Sequence, residues 1–205
     1  MNSKSILDNL SPKKALQKLI DGNTRFRQHQ YIERDFKQEV EDVIEEQYPF
    51  AIILGCIDSR VPVEILFDQG VGDLFVTRIA GNLENEDVIA GMEYACKIVG
   101  SKLIMVLGHQ DCGAIKAACD AVKIGHIPQL IIKIKPAIAQ TEIIDEDSSK
   151  SEKYINAIAK TNVKLTMQRI REKSKVLRTL EEEGKIQIVG AYYELHTGKI
   201  TILDA

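Results

Sequence analysis

The segment Ala51-Ile52-Ile53-Leu54-Gly55-Cys56-Ile57-Asp58-Ser59-Arg60 reads as a short apolar strand that runs directly into a thiol, a carboxylate and a guanidinium. A run of this length, rich in branched residues and closed by glycine, fits a strand buried on both faces, as the strands of parallel sheets are. Three further runs have the same character, at Leu74 to Ile79, Leu103 to Leu107 and Ile186 to Tyr193, and helical patterns separate the later ones. Strands alternating with helices imply an α/β fold with a parallel sheet. The end of the chain differs. Thr197-Gly198 links Ala191-Tyr192-Tyr193-Glu194 to Ile200-Thr201-Ile202-Leu203, which predicts a hairpin and an antiparallel edge strand. The expected fold is a central, mostly parallel β-sheet with one antiparallel edge strand, flanked by helices.

Upstream of this core the sequence predicts a helical arm over about residues 1 to 47, leading into an α/β core over 48 to 205, with the whole chain forming one domain. Ser11-Pro12 begins a helix well, because serine caps and proline suits the first turn, and Leu16, Leu19, Ile20 and Phe26 follow at helical spacing. A second helix is expected from about Gln38 to Glu46. Beyond the third strand an apolar helix is expected around Ile131 to Ile143, then a mobile acidic loop at Asp145 to Ser151, then one long helix from about Glu152 to Glu183 ended by Gly184.

Composition narrows the function. The chain has 205 residues, 44% of them hydrophobic, and a formal charge of -3 with both signs interspersed. That gives no basic stripe for a phosphate backbone, so no nucleic-acid partner is expected. No run of about 18 apolar residues is present and the N-terminus leads into a helical pattern, so neither a membrane span nor a signal peptide is expected. Four cysteines in a chain this long do not make a disulfide scaffold, which places the expected location in a reducing cytoplasm.

The chemistry gathers at two strand ends. Cys56 follows the first strand, and His109-Gln110-Asp111-Cys112 follows the third. In an open α/β sheet, ligands bind beyond the carboxyl ends of strands where strand order reverses, so Cys56, His109 and Cys112 converge if those two strands are neighbours. Two thiolates and an imidazole suit Zn²⁺, one per chain, and three protein ligands with a fourth position available is the pattern of a catalytic site. Two thiolates also cancel the metal's charge, so a water bound there is expected to be a weaker acid than at a three-histidine site, with activity rising into mildly alkaline pH. Asp58 either occupies the fourth zinc position or accepts a hydrogen bond from the hydroxide, and Arg60 is placed to draw the carboxylate off the metal in a bidentate pair. Each motif alone is weak, since a lone Cys is more often a buried hydrophobe and Asp-x-Arg is commonly a loop ion pair. Cys96 and Cys119 read as core residues within helices, and His29, His126 and His196 as surface or loop residues, with nothing to select one as a proton relay.

These residues resemble the β-class carbonic anhydrases, zinc enzymes that interconvert CO₂ and bicarbonate. Cys56-Ile57-Asp58-Ser59-Arg60-Val61-Pro62 is similar to the family's first signature, and Gly108-His109-Gln110-Asp111-Cys112-Gly113-Ala114 to its second. Gly72-Asp73-Leu74-Phe75, Arg78-Ile79-Ala80-Gly81-Asn82, Glu93-Tyr94-Ala95, the N-terminal helix and the closing hairpin also follow its pattern. The resemblance implies Cys56, His109 and Cys112 as zinc ligands, with Asp58 closing the metal site in some members, and Asp58 with Arg60 as the catalytic pair. It implies Gln47 as a bicarbonate ligand, with Phe75 and Tyr94 lining an apolar pocket partly supplied by a neighbouring subunit. That pattern is that of the plant-like, open-site branch. The regulated bacterial branch uses a tryptophan in its bicarbonate pocket, and this chain has no Trp, although Arg78 matches that pocket's arginine. Ala80 stands where plant enzymes carry a larger residue. The implied assembly is a homodimer or homotetramer. Two other activities keep the same cysteines and histidine: hydrolysis of a related heterocumulene such as carbon disulfide, and a non-catalytic zinc or thiol redox sensor.

Overall fold

The computed structural model describes residues 3–142 and 151–203, so the acidic loop expected at Asp145 to Ser151 lies almost wholly outside the described residues. Five strands form one sheet: β1 (Ala51–Gly55), β2 (Leu74–Arg78), β3 (Leu103–His109), β4 (Gln187–Tyr193) and β5 (Ile200–Leu203). Their order is β2-β1-β3-β4-β5. The first four run parallel, and β5 pairs antiparallel with β4 from Gly190↔Leu203 to Tyr193↔Ile200. This is the expected sheet, including the hairpin, whose turn places Gly198 at φ 70°. All five residues of β1 and all seven of β3 are buried, as continuous apolar strands must be when helices cover both faces.

Helices α1 (Lys4–Asp8) and α2 (Pro12–Gln28) cover one face, with Leu7, Ala15 and Leu19 packed on Phe50, Ile53, Leu103 and Met105. Ser11 caps α2 by accepting from Lys14 N. Asn23 then fastens the helix to its own chain, donating to Leu66 O at 3.1 Å and Gly198 O at 2.9 Å and accepting from Ile200 N at 3.0 Å. Helix α3 runs Phe36–Asp42, earlier than the expected Gln38 to Glu46, because Asp35 caps it by accepting from Lys37 N and Gln38 N. Short α4 (Val63–Leu66) follows the Cys56 loop.

The other face carries α5 (Glu86–Glu93), which continues into a π-helical turn at Tyr94–Val99, then α6 (Gly113–Cys119), α7 (Ile127–Ile131), α8 (Lys135–Gln140), α9 (Glu152–Lys173) and α10 (Lys175–Glu182). Two expected helices are each divided. Pro128 and Pro136 sit in the first turns of α7 and α8, where a missing N–H costs nothing, and the helix expected around Ile131 to Ile143 is met by α7 ending at Ile131 and a separate α8 beginning at Lys135. Ser174 is extended (φ -111°, ψ 104°) and caps Leu177 N, so α9 and α10 replace one long helix. Arg171 closes the break with two bonds to Glu181 at 2.7 and 2.9 Å.

Helix α9 presses directly on the sheet. A Cβ at Gly108 would lie 2.6 Å from Val163 Cγ2, so only glycine permits that approach. No described helix is long and apolar enough to cross a membrane.

Candidate metal centre

Because β2 and β3 lie on opposite sides of β1, strand order reverses between β1 and β3, and the carboxyl ends of those two strands open the crevice where ligands bind. Cys56 leaves β1 and His109 ends β3 at this point. Cys112 follows one turn later and begins α6. The Cys56, His109 and Cys112 donor atoms lie within 4.8 Å of one another, all buried, and the two sulfurs are 4.0 Å apart.

The His109 ring is oriented by its other nitrogen. Nδ1 lies 2.8 Å from Gln110 O, which fixes Nδ1 as the N–H donor and leaves Nε2 with its lone pair free. Nε2 is buried and has no hydrogen-bond partner among the described residues. The two sulfurs behave as a pair. The two thiols share a hydrogen bond, and that bond together with the Gly81 N–H draws the Cys56 thiol far below its ordinary range, while the same bond and burial push Cys112 up. One thiolate therefore exists at the expense of the other, and two at this separation require a cation between them. An orphaned imidazole nitrogen facing two sulfurs is a donor set that fits zinc.

Asp58 stands beside this cluster, its Oδ2 3.9 Å from His109 Nε2. Its carboxylate is turned to Arg60, accepting from Nε at 2.9 Å, from a terminal guanidinium nitrogen at 2.8 Å and from the Arg60 backbone N at 2.9 Å. Arg60 holds the Asp58 carboxyl down to about 2. Arg60 is itself steered by Asp111, whose backbone is left-handed (φ 58°) and whose carboxylate also pairs with Lys116. Helix α9 steadies that turn from outside, with Asn156 accepting from Asp111 N at 3.0 Å and Glu152 accepting from Gln110 at 2.6 Å. Arg78 locks the Cys56 loop by donating to the Cys56 and Asp58 carbonyls.

An apolar cleft of about 380 Å³ opens onto Cys56 and Asp58, walled by Ile57, Ala80, Ala114, Ala117, Leu130 and Ile131. Neither Phe75 nor Tyr94 lines it. Phe75 pairs in register with Ile52, and the four residues from there to Cys56 span about 13 Å along the strand. It packs edge-on against Tyr94, ring centroids 6.3 Å apart. Gln47 is exposed in the segment entering the opposite end of β1. Within one chain these three are remote from the thiols. Cys96 is buried, its thiol pushed up to about 12 by desolvation, whereas Cys119 is only half-buried at the end of α6. His29, His126 and His196 are exposed, and His196 borders a polar cleft shared with Arg60, Asp111 and Glu152.

A family model described as carbonic anhydrase matches residues 51–200. The chain belongs to the β-class carbonic anhydrases. It is 32% identical to a carbonic anhydrase of Mycolicibacterium smegmatis over 200 residues, covering 96% of this chain and 95% of that one. Carbonic anhydrase 2 of Mycobacterium tuberculosis is also 32% identical, over 203 residues, covering 97% and 96%. Among solved structures, a β-carbonic anhydrase of Aspergillus fumigatus superposes with a TM-score of 0.72 at 26% identity, covering 94% of this chain and 90% of that one. A tetrameric β-carbonic anhydrase of Sordaria macrospora shares the fold, with a TM-score of 0.72 at 23% identity over 83% and 86% of the two chains. This carbonic anhydrase is thus an enzyme whose Cys-His-Cys cluster fits a zinc site.

The sequence motifs marked the ligands, but not everything that holds them. Asp111, Asn156 and Gly81, which hold the turns around the ligands, carry no local signal of those contacts. Asn162, which donates to Gly81 O at 2.9 Å, carries one local signal: it is an amide on the buried face of a long helix, among Ala159, Val163 and Thr166.

Proposed function

We propose that this chain catalyses the reversible hydration of carbon dioxide to bicarbonate and a proton, with one zinc held by Cys56, His109 and Cys112. The observation that carries the reading is the buried, unpartnered His109 Nε2 facing two sulfurs beside a carboxylate that an arginine keeps ionised. Zinc bound there supplies the acidity that makes hydroxide available near neutral pH. The remaining work falls to the chain. Asp58, held ionised and off the donor cluster by Arg60, has acceptor capacity left on Oδ2 to take the O–H of the attacking oxygen and aim its lone pair into the cleft. The cleft's apolar walls admit an uncharged linear molecule and offer little to the anionic product, which favours its departure.

Gln47, Phe75 and Tyr94 are assigned to the site of a second copy, with Gln47 hydrogen-bonding the product oxygens and the two rings narrowing the cleft. Two features support a homo-oligomer: among the described residues β2 is an unpaired sheet edge, and Tyr31, Ile32, Phe36 and Ile65 are large apolar residues exposed together around a groove. The site's location in the cell is proposed to be the cytoplasm, consistent with buried thiols that must stay reduced. Ala80 in the cleft wall favours one second reading, turnover of a bulkier heterocumulene such as carbon disulfide.

Stopped-flow CO₂ hydration with zinc determined on the same sample tests the proposal. One zinc per chain with activity that rises from pH 7 to 8.5 and collapses in Asp58→Ala is the expected result. Full zinc without CO₂ hydration at either pH would reject it in favour of the carbon disulfide reading or a thiol sensor.

A further inference from the structure

Helix α9 carries a polar stripe aimed at the loop after β2. Asn162 donates through Nδ2 to Gly81 O at 2.9 Å, Arg169 to Glu84 Oε2 at 2.9 Å and Lys173 to Glu84 Oε1 at 2.8 Å. These residues recur at helical spacing, so one face of one helix grips both ends of the segment from Gly81 to Glu84. The gripped segment touches the metal centre at one atom pair: Gly81 N donates to Cys56 Sγ at 3.4 Å. Gly81 has φ 74°, a conformation that side chains disfavour, and a Cβ there would come within 3.3 Å of both Ile134 and Ala114. The turn that aims the N–H at the sulfur is therefore specified on three sides, by the missing side chain, by the Ile134 and Ala114 walls, and by Asn162.

Asn162 is an odd choice for its position. It is completely buried on α9 beside Val163 and Ala159, and its Oδ1 has no hydrogen-bond partner among the described residues. A buried amide with half its capacity unused is costly, and an apolar residue would pack there more cheaply. Its bond to Gly81 is what the fold receives in return.

We propose that Asn162 is a positioning residue of the metal centre, fixing the Gly81 N–H on the Cys56 sulfur and thereby setting how tightly and with what electron donation that sulfur binds the metal. The inference rests on the zinc reading of Cys56, His109 and Cys112. A hydrogen bond to a ligating thiolate disperses its charge, so losing it changes the sulfur-to-metal bond even when all three ligands remain.

The test is metal affinity by chelator competition with Zn²⁺, together with the sulfur-to-cobalt charge-transfer absorption of the Co²⁺-loaded protein. Asn162→Ala is expected to weaken zinc binding by about 10–100-fold and to shift the charge-transfer band. Ile170→Val, a buried change on the same helix that does not touch Gly81, is expected to lower thermal stability and move neither readout. If Asn162→Ala does not fold, Asn162→Ser carries the same two measurements. An unchanged affinity and band in a folded Asn162 variant would overturn the proposal, leaving Asn162 a packing residue. Failure of the wild type to bind zinc or cobalt would instead strike the zinc reading itself.

Discussion

The Cys56 cluster and the Glu84 cluster are both buried, both polar, and both tied to helix α9 through the same short loop, yet they are built on opposite rules. Glu84 is 1% exposed, and each of its carboxylate oxygens meets a cation, Arg169 on one and Lys173 on the other. Arg169 is further fixed by its bond to Thr166. The Cys56 cluster is left incomplete, with His109 Nε2 unpartnered and two sulfurs sharing one proton. Satisfaction marks the first cluster as structural, since a closed network has nothing to offer a ligand. An unmet donor set of matched chemistry marks the second as a place where something binds.

The largest expected effect separates the two. Cys112→Ser should abolish stoichiometric zinc and reduce CO₂ hydration by more than the about 10–100-fold typical of changes to groups that only support ligands, while leaving the fold intact. Metal analysis and circular dichroism on one preparation check it, and unfolding of the variant would show that the cluster is structural after all. Next, Asp58→Ala should keep its zinc and lose about 10²–10⁴-fold in kcat, the range for a positioned proton-handling group. Zinc loss alongside the activity would instead make Asp58 a supporting residue of the metal.

The Glu84 cluster should respond in stability and not in chemistry. Glu84→Gln is expected to cost about 1.5–3 kcal/mol in urea unfolding, with kcat per folded molecule changed less than twofold. The smallest effect is its pH dependence. Burial pushes the Glu84 carboxyl up, but Lys173 and Arg169 together outweigh it and hold the group below its ordinary value. A carboxyl depressed in the folded state contributes stability that is fully present above its unfolded value of about 4.3 and is lost as pH falls through the folded one. The gap between wild type and Glu84→Gln should therefore be widest near neutrality and narrow below about pH 4. A gap independent of pH would show that the pair contributes by packing alone.

How much of this was legible in the chain differs by kind of feature. Strand positions, the hairpin and the parallel sheet followed from hydrophobic runs and from Thr197-Gly198, because side-chain periodicity is local information. The break at Ser174 was hidden because no Pro or Gly marks it, and only a serine cap reveals it. The separate start of α8 does have a local mark in Pro136, a residue suited to a helix's first turn and not to its interior. At the site, the two motifs named their ligands, while the contribution of Asn162 depends on a helix 81 residues downstream of Gly81 meeting that loop in space.

By itself, then, the sequence determined the family, the sheet and the three donor residues, since each is encoded in a short run of neighbouring positions. Only the tertiary structure decided which His109 nitrogen faces the sulfurs and that Asp58 is turned to Arg60. It alone put Phe75 and Tyr94 away from the thiols of their own chain. Those outcomes are set by register, by burial and by the competition of distant groups for the same few hydrogen bonds, none of which has a local signature in the chain.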